Sequence, residues 1–356
     1  MAGTGIRTVA EQAGVSIGTV SKILNPTSSA NIRVSAETRE KVLATANRLG
    51  YRPSYGAKLL RGERTHTIGF AVTLPGDHND TYLSNYSFRL LNGIGREASR
   101  RHYQVLLIQG EDYRYYMDVK RIDALILIGF PLDDNPLADQ MRAFFEHLNA
   151  GNYPYVVINN QLPGVTAAGI GVDNRSGMRQ IADLIRRRQY KSVGFIGELT
   201  KNPQRHHVER IRYLQEYLAG SGCSFDDNRI LNGCGRGIPE VPRIGRYSHE
   251  DGRVGLHFLQ ARNLMPRCIV CGNDDIATGL LQAARAEKIR IPEDLAIIGF
   301  DDDENSSYQE PALTTVHQPL EEFGRLAVSH LLKKIDDPTH SIQITIEPEL
   351  IERSTT

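Results

Sequence analysis

Short apolar runs alternate with amphipathic stretches of helical periodicity from Thr67 onward. The amphipathic stretches begin near Leu90, Met178, Val208 and Gly252, among other positions. Strands that alternate with helices in this way predict an α/β fold built from doubly wound parallel sheets. The apolar runs that serve as strands in this prediction are TIGFAV, YQVLLI, DALILIGF, YVVINN, SVGFIG, RCIVCGND and LAIIGFDD.

Polar residues follow several of these strands, where a strand that stayed buried would continue with apolar side chains. Two sheets of this kind leave a cleft at the carboxyl ends of their strands, which is where open α/β sheets bind ligands. Carboxylates and amides that converge on such a cleft suit a ligand rich in hydroxyl groups. The residues in question are Asn159 and Asn160, Asp173 and Asn174, Asn273 and Asp274, and Asp301 and Asp302.

The length of 356 residues predicts more than one domain, because a single ordinary domain is shorter. The composition, 40% hydrophobic and 24% charged residues, is that of a globular protein, and no apolar run is long enough to cross a bilayer. The first residues carry helical patterning and lack the apolar stretch of a secretory signal, and four cysteines are too few for a disulfide framework. We therefore expect a cytoplasmic protein.

Charge is distributed unevenly, although the chain as a whole is neutral. Residues 1–65 hold ten Lys and Arg against four Glu, so this segment is net +6 and the rest of the chain is net −6. Lys and Arg that neutralise phosphates release counterions and gain affinity thereby. A small basic module on an acidic body therefore predicts polyanion binding by one end of the protein.

Three short helices are predicted within the basic segment. Thr8 and Glu11 have the spacing of a capping box at the start of the first helix, which Gly14 ends. Ser16 is placed to cap the second helix, and the third begins at Ser35. Apolar side chains recur at three-residue and four-residue spacing and are expected to face inward: Val9, Ala10, Ala13, Val20, Ile23, Leu24, Val42, Leu43, Ala46 and Leu49.

Two short helices about a tight glycine turn, braced by a third, indicate a helix-turn-helix. In that geometry the second helix enters the major groove of DNA with its N-terminal residues toward base edges, and nearby hydroxyls and amides bind the phosphate backbone. The base-reading candidates are Ile17, Gly18 and Lys22. The candidates for backbone contacts are Thr8, Ser16, Thr19, Ser21 and Asn25.

Two segments resemble the headpiece of the LacI/GalR family of bacterial transcription regulators: IRTVAEQAGVSIGTVSKILN and VSAETREKVLATANRLGYRPSYGAKLLRG. The resemblance implies a homodimer on a nearly palindromic operator, although the intervening PTSSANIR is several residues longer than is usual in the family. It also implies a hinge helix whose apolar wedge, Leu60 or alternatively Leu59, opens a base step in the minor groove. The positions that match the family's hinge contacts are Ala57, Lys58, Leu60 and Arg61.

The segments VDN, HHVERIRYL, CGNDDIATG, GFDD and PALTTVHQP resemble the effector domain of the same family. Arg210 matches an arginine that can give two parallel hydrogen bonds to ligand oxygens. Between Gly110 and Asp123 the chain is shorter than most members of the family, as some galactoside-responsive members are. This resemblance favours a sugar effector such as a galactoside, and a purine is the alternative. The effector-binding residues that the resemblance implies are Asp173, Arg210, Asn273 and Asp301, with Tyr247 as a stacking surface and Asn159 in support.

The predicted organisation is a headpiece at residues 1–52, a hinge helix and linker at 53–66, and an effector-binding and dimerisation domain at 67–356. That domain is expected to have two lobes, one formed by residues 67–172 and 303–332 and the other by residues 173–302 and 333–356. The end of the sequence carries no apolar heptad tail, which favours a dimer over a tetramer.

Several other signals are interpreted as structural. Gly93, Gly95 and Ala98 fit a GxGxxA pattern, yet they fall inside a predicted helix and not at a strand-to-helix turn, as a dinucleotide site would require. Cys268 and Cys271 are three apart in a strand and should point to opposite faces of the sheet, which does not suit a metal or redox pair.

His206 and His207 are interpreted as surface residues of a loop, and Asp301–Glu304 as a ligand contact followed by a solvated loop. The sequence therefore predicts no enzyme, no metal site and no cofactor. Two rival classes are a transport-type sugar-binding protein, which the basic headpiece disfavours, and a sugar-modifying enzyme, for which the sequence offers no catalytic base.

Overall fold

The computed structural model describes residues 5–24, 34–51, 64–72, 85–108, 113–119, 121–128, 136–159, 168–201, 205–234, 237–240 and 248–356. The chain forms two compact units, residues 1–65 and 66–356. Within the described ranges, no helix is both long and apolar enough to cross a membrane. The predicted contacts Asn25, Ala57, Lys58, Leu60, Arg61 and Tyr247 lie outside the described residues.

The first unit contains three helices in its described residues, α1 (Ile6–Ala13), α2 (Ile17–Leu24) and α3 (Ala36–Arg48). α1 ends where predicted, because Gly14 adopts a left-handed φ of 68° and its N–H donates to carbonyls of the last turn. Ser35 caps α3, since its hydroxyl accepts a hydrogen bond from the Thr38 N–H at 3.2 Å. The predicted three-helix arrangement is therefore confirmed.

Two details of the prediction for this unit are wrong. Thr8 does not cap α1, because the helix begins two residues earlier, Gly5 occupies the cap position, and the Thr8 N–H donates to the Gly5 carbonyl. Leu43 is 41% exposed, because Val42 and Ala46 occupy the face of α3 that packs on α1 and α2, and Leu43 lies outside that face. The buried core of the unit consists of Val9, Ala10, Ala13, Val20, Ile23, Val42 and Ala46.

The second unit is an α/β structure with two parallel sheets, which confirms the predicted fold class. Its strands are β1 (Thr67–Ala71), β2 (Gln104–Ile108), β3 (Ala124–Ile128), β4 (Tyr155–Ile158), β5 (Gly169–Val172), β6 (Val193–Ile196), β7 (Ile230–Leu231), β8 (Cys268–Cys271), β9 (Ala296–Ile298), β10 (Thr315–His317), β11 (Gln343–Ile346) and β12 (Glu349–Ile351). Its helices are α4 (Asn85–Arg100), α5 (Tyr113–Asp118), α6 (Pro136–Ala150), α7 (Asn174–Arg187), α8 (Arg205–Leu218), α9 (His249–Ala261), α10 (Asp274–Ala286) and α11 (Leu320–Asp336).

The larger sheet has the strand order β11-β5-β4-β3-β1-β2, and the smaller has the order β7-β6-β8-β9. All neighbours within these two sheets are parallel, whereas β10 and β12 form a separate antiparallel pair. The strands β1, β3, β4, β6, β8 and β9 are buried along their whole length, as expected for parallel strands that are covered on both faces. We call the larger sheet with its helices the first lobe and the smaller sheet with its helices the second lobe.

The glycine pattern in α4 serves helix packing. Gly93 faces α11 so closely that a Cβ atom there would lie 1.9 Å from the Glu321 carbonyl oxygen. Gly95, on the other side of α4, faces open space. The expectation that this GxGxxA pattern lies within a helix is confirmed, and the need for a short distance between two helices explains its first glycine.

The two cysteines of β8 lie on opposite faces of the smaller sheet, as the strand periodicity predicts. Cys268 packs in the apolar cluster with Val193 and Phe195, whereas Cys271 packs in the cluster with Leu256. Both side chains are buried, and burial raises the pKa of each thiol above its ordinary value. Neither thiol is therefore poised for metal or redox chemistry.

The predicted lobe boundaries near the end of the chain need correction. Strand β10 and the residues before it belong to the second lobe, because Thr314 and His317 pair with Ile298 and Asp301 and the strand itself pairs with β12. Helix α11 packs on α4, and β11 pairs with β5, so residues 320–346 belong to the first lobe. The chain thus crosses between lobes near residues 318–319 and 347–348, after the pairing of β10 is complete.

Candidate functional site

The start of helix α2 presents the residues that the sequence singled out for DNA contact. Ser16 caps the helix, since its hydroxyl accepts a hydrogen bond from the Thr19 N–H at 3.1 Å and shares another with the Thr19 hydroxyl at 2.9 Å. Ile17 is 42% exposed although it is apolar, and Gly18 beside it is also exposed. An exposed apolar side chain at a helix N-terminus fits contact with a thymine methyl group in the major groove.

The other candidates of the headpiece lie further from solvent. Thr8 on α1, and Thr19, Ser21 and Lys22 on α2, are half-buried. The cap interaction uses the Thr19 hydroxyl, whereas Lys22 stands in the last turn of α2. The most exposed part of α2 and its cap is therefore the consecutive triplet Ser16, Ile17 and Gly18.

In the second unit, the predicted effector residues within the described ranges lie at the carboxyl ends of parallel strands or face them. We call this set the candidate cleft, and it consists of Asn159 after β4, Asp173 after β5, Asn273 after β8, Asp301 after β9, and Arg210 in α8. Parallel strands place their carboxyl ends at one edge of the sheet, and this topology brings together residues that are distant in sequence.

Arg210 holds the second-lobe side of the candidate cleft together. Its Nε donates to the Asn174 side-chain oxygen at 3.0 Å, and its Nη1 donates to the Gly272 carbonyl at 2.5 Å. The guanidinium carbon lies 3.4 Å from the centre of the Phe300 ring, which is the geometry of a cation–π contact. Because the side chain is 2% exposed, these contacts fix the direction of its remaining nitrogen.

Arg210 and Asp301 perturb each other electrostatically. Burial lowers the pKa of Arg210 to about 10, against the attraction of Asp301 and other acidic groups. Burial raises the pKa of Asp301 well above its ordinary value, and repulsion from Asp303 adds to this effect while Arg210 opposes it. The guanidinium can donate hydrogen bonds to a polar ligand. The carboxyl can accept hydrogen bonds from the ligand and, when protonated, donate one to it.

Gln318 connects the two lobes within the candidate cleft. Its side-chain oxygen accepts a hydrogen bond from Asn159 Nδ2 at 2.9 Å, and its Nε2 donates to Asp301 Oδ1 at 2.5 Å. Asn159 Nδ2 also donates to the Tyr86 hydroxyl at 2.5 Å. Neither Tyr86 nor Gln318 was among the predicted residues, although Gln318 lies in the segment PALTTVHQP, where a polar side chain before a proline was a signal.

Asp173 and Asn273 have a second task besides any ligand contact. Asp173 Oδ1 accepts from the Ser176 N–H at 3.0 Å, and Asn273 Oδ1 accepts from the Ile276 N–H at 2.9 Å. Each residue therefore caps the helix that follows its strand. Asn273 also accepts a hydrogen bond from the Ser248 hydroxyl at 3.1 Å, which orients its amide.

The acidic run after β9 differs from the predicted solvated loop. Asp302 accepts hydrogen bonds from His317 Nδ1 at 2.8 Å and Arg353 Nη2 at 2.6 Å, and the Asp303 side chain is only 14% exposed. Beneath them Asp274 is buried and accepts three hydrogen bonds, from the Asp303 N–H and the hydroxyls of Ser306 and Thr315. The prediction of a solvated loop is therefore wrong for Asp302 and Asp303.

The expectation for His206 and His207 is also wrong. Both lie in the first turn of α8, and His207 is buried with its ring edge toward Phe195. Burial holds the pKa of His206 well below its ordinary value, and unfavourable electrostatic interactions with His207 and Arg210 add to this effect. Among the described residues, no group of three His, Cys, Asp or Glu side chains is arranged to hold a metal ion.

Comparison with known proteins agrees with this arrangement of elements. A family profile described as "Bacterial regulatory proteins, lacI family" matches residues 5–54, and one described as "Periplasmic binding protein-like domain" matches residues 182–356. The ribose operon repressor of Escherichia coli K12 is 29% identical over 361 residues, which cover 98% of this chain and 98% of that protein.

Two solved structures share the fold over almost the whole chain. A complex of the transcriptional regulator CelR with cellobiose is 25% identical with a TM-score of 0.68, and the match covers 99% of this chain and all of that one. The Lac repressor dimer bound to operator and the anti-inducer ONPF is 22% identical with a TM-score of 0.80, and covers 99% of both chains. With its helix-turn-helix unit, two-lobed α/β unit and full-length relatives, the chain belongs to the lacI family of bacterial regulatory proteins.

Proposed function

We propose that this protein is a cytoplasmic transcription repressor that binds a two-fold symmetric operator as a homodimer and changes its operator affinity when a sugar occupies the candidate cleft. DNA binding and control by a small molecule follow from its family. We further propose which residues contact the DNA and the effector, that the effector is a sugar, and that the protein acts as a homodimer. CelR in complex with cellobiose and the operator-bound Lac repressor dimer support these finer assignments by likeness.

The observation that carries the effector assignment is the connected polar network of the candidate cleft. Gln318 joins Asn159 to Asp301, and Arg210, which attracts Asp301 electrostatically, has its guanidinium fixed over Phe300. Carboxyl, amide and guanidinium groups in fixed directions match the alternating donors and acceptors of sugar hydroxyl groups. The apolar Phe300 ring is covered by Arg210, so the described part of this network offers hydrogen bonds and little apolar surface.

The exposed start of α2 supports the DNA assignment. Ser16, Ile17 and Gly18 are exposed together at the helix N-terminus, where the N–H groups and the helix dipole favour phosphate. The segment that contains this helix is net +6. We assign base reading to Ile17, Gly18 and Lys22, as the sequence predicted.

The test begins with fluorescence anisotropy on a duplex that the full-length protein selects from a random-sequence pool. Binding should be tight, selective and weaker at higher salt, because phosphate contacts release counterions. Methyl β-galactoside, cellobiose, D-ribose, adenine and guanine are then added one at a time. A sugar that changes operator affinity supports the proposal, and a purine that does so while all sugars fail overturns the sugar assignment.

Matched variants separate the two halves of the proposal. Arg210→Lys should abolish the response to the sugar and leave operator affinity within about twofold, because a lysine cannot fork between ligand and protein oxygens. Arg212→Lys, on the exposed side of the same helix, is the control. Ile17→Ala should weaken operator binding by about 1–3 kcal/mol, whereas Leu43→Ala, also exposed but on α3, should not. An unchanged sugar response in Arg210→Lys would contradict the placement of the effector.

A further inference from the structure

Arg89 of helix α4 makes an unusual set of contacts across the lobes. Its Nη1 donates to the backbone carbonyls of Asp301 and Asp302 at 3.0 Å and 2.9 Å, and its Nη2 donates to the carbonyl of Gln318 at 3.0 Å. The side chain is 21% exposed, so it is largely withdrawn from solvent. One guanidinium of the first lobe thus holds two chain segments. One is Gln318, at a crossing between the lobes, and the other is Asp301–Asp302, which lies beside it through the pairing of Asp301 with His317.

The backbone that Arg89 holds is strained. Asp301 has a φ of 136° and Asp302 a φ of 54°, and neither is a glycine. Such conformations persist only where the surroundings impose them. Hydrogen bonds from a charged donor are stronger than neutral ones, and the guanidinium, which donates to the carbonyls of both residues, supplies part of that constraint.

The two side chains that depend on this backbone belong to the candidate cleft. The carboxyl of Asp301 accepts a hydrogen bond from the side chain of Gln318, and Arg89 holds the main-chain carbonyls of both. We propose that Arg89 is a positioning residue, which directs the Asp301 carboxyl into the cleft and makes effector affinity depend on the contact between the lobes. The inference rests on the proposed function, and it assigns Arg89 no contact with the effector itself.

A different role would be simple charge compensation. Arg89 Nη1 lies 4.0 Å from Asp303 Oδ1, and Asp301, Asp302 and Asp274 are close by, so any cation could serve that purpose. The two roles differ in what they require of the side chain. Charge compensation needs a positive charge, whereas holding three separate carbonyls needs the planar fork of an arginine.

Arg89→Lys distinguishes the roles because it keeps the charge and removes the fork. The control is Arg96→Lys on the same helix, where the arginine is exposed and pairs with Glu321. We expect Arg89→Lys to weaken binding of the sugar that the wild-type protein binds, among methyl β-galactoside, cellobiose and D-ribose, by at least tenfold in calorimetric titration. Operator affinity without sugar should stay close to that of Arg96→Lys, and a cooperative melting transition should show that the variant is folded.

A double-mutant cycle tests whether Arg89 acts through Asp301. If it does, Arg89→Lys should change sugar affinity by less than threefold when Asp301 is already replaced by Asn. A full tenfold effect in that background, or wild-type affinity in Arg89→Lys alone, would overturn the proposal.

Hydrogen exchange keeps the test independent of the sugar assignment. If the wild-type protein binds none of the three sugars, the sugar assignment fails. The exchange rate of the Gln318 amide then tests the positioning role of Arg89 by itself. This amide donates to the Asp301 carbonyl at 3.4 Å, which is one of the carbonyls that Arg89 also holds. Faster exchange in Arg89→Lys than in Arg96→Lys would support the positioning role, and equal exchange would exclude it.

Discussion

The Asp303→Asn variant should gain stability relative to the wild-type protein as the pH rises toward neutrality. Burial raises the pKa of Asp303 to about 7, repulsion from Asp274, Asp275 and Asp302 adds to the effect, and Arg89 opposes it. The folded protein therefore keeps a proton on Asp303 at pH values where the unfolded chain, with an ordinary carboxyl, has already lost it. Because the folded state binds more protons, its stability falls as the pH rises between the two pKa values.

The magnitude follows from the separation of those pKa values. With a folded pKa of about 7 and an unfolded pKa of 3.8, the contribution of this one group to the free energy of unfolding drops by about 2 kcal/mol between pH 5 and pH 7. Asn cannot titrate, so the variant loses this dependence. The difference in unfolding free energy, Asp303→Asn minus wild type, should therefore grow by about 2 kcal/mol over that range.

The assay is urea unfolding of the full chain at half-unit intervals from pH 5 to pH 8. Only the change of the difference with pH matters, so a constant offset from altered packing or from the contact with Arg89 does not affect it. Asp302→Asn is the control with the opposite sign. Burial acts on Asp302 as well, but hydrogen bonds from His317 and Arg353 outweigh it and hold its pKa below the ordinary value. That variant should be less stable than wild type at neutral pH, with the loss fading only as acid protonates the carboxyl. A difference for Asp303→Asn that stays flat or shrinks from pH 5 to pH 7 would refute the reasoning.

Three further predictions concern packing, capping and thiol chemistry. Gly93→Ala should lower the free energy of unfolding by about 1–3 kcal/mol, because its Cβ would meet the Glu321 carbonyl, while Gly95→Ala should be neutral or stabilising; chemical denaturation of the two variants compares them. Ser35→Ala should cost α3 about 1 kcal/mol, which would appear as roughly fivefold faster amide exchange in that helix than in the wild type. A thiol reagent should modify the half-buried Cys223 and Cys234 before the two cysteines in β8, which should react only on unfolding, and four rapid reactions would contradict the burial of that strand.

The fold could be predicted from the sequence wherever a strand is a short run of apolar residues between helical stretches. β5 and β11 escaped that rule for physical reasons. β5 has the sequence GIGV, in which two glycines dilute the apolar signal, and β11 is an edge strand that alternates exposed and half-buried residues. The error in the lobe boundaries also comes from a weak sequence signal, because β10 and β12 have three residues each and their sequences do not indicate which lobe they join.

Several residues of the candidate cleft could be predicted from the topology of the sheets. The prediction was incomplete because the remaining contacts depend on how distant segments meet. Parallel strands collect their carboxyl ends at one edge, so Asp173, Asn273 and Asp301 could be placed together without knowledge of any contact between them. Arg89 lies within a helix and Gln318 lies where the chain passes between the lobes, so neither follows a strand of a parallel sheet. Both residues meet the strand ends only after the two lobes have formed. The bond from Asn159 to Gln318, for instance, joins residues 159 positions apart. The chemistry of the cleft is thus set locally at each strand end, whereas the directions of its side chains depend on segments that cross between lobes. For this reason, substitutions in the crossing segments should alter effector affinity as strongly as substitutions in the strand ends themselves.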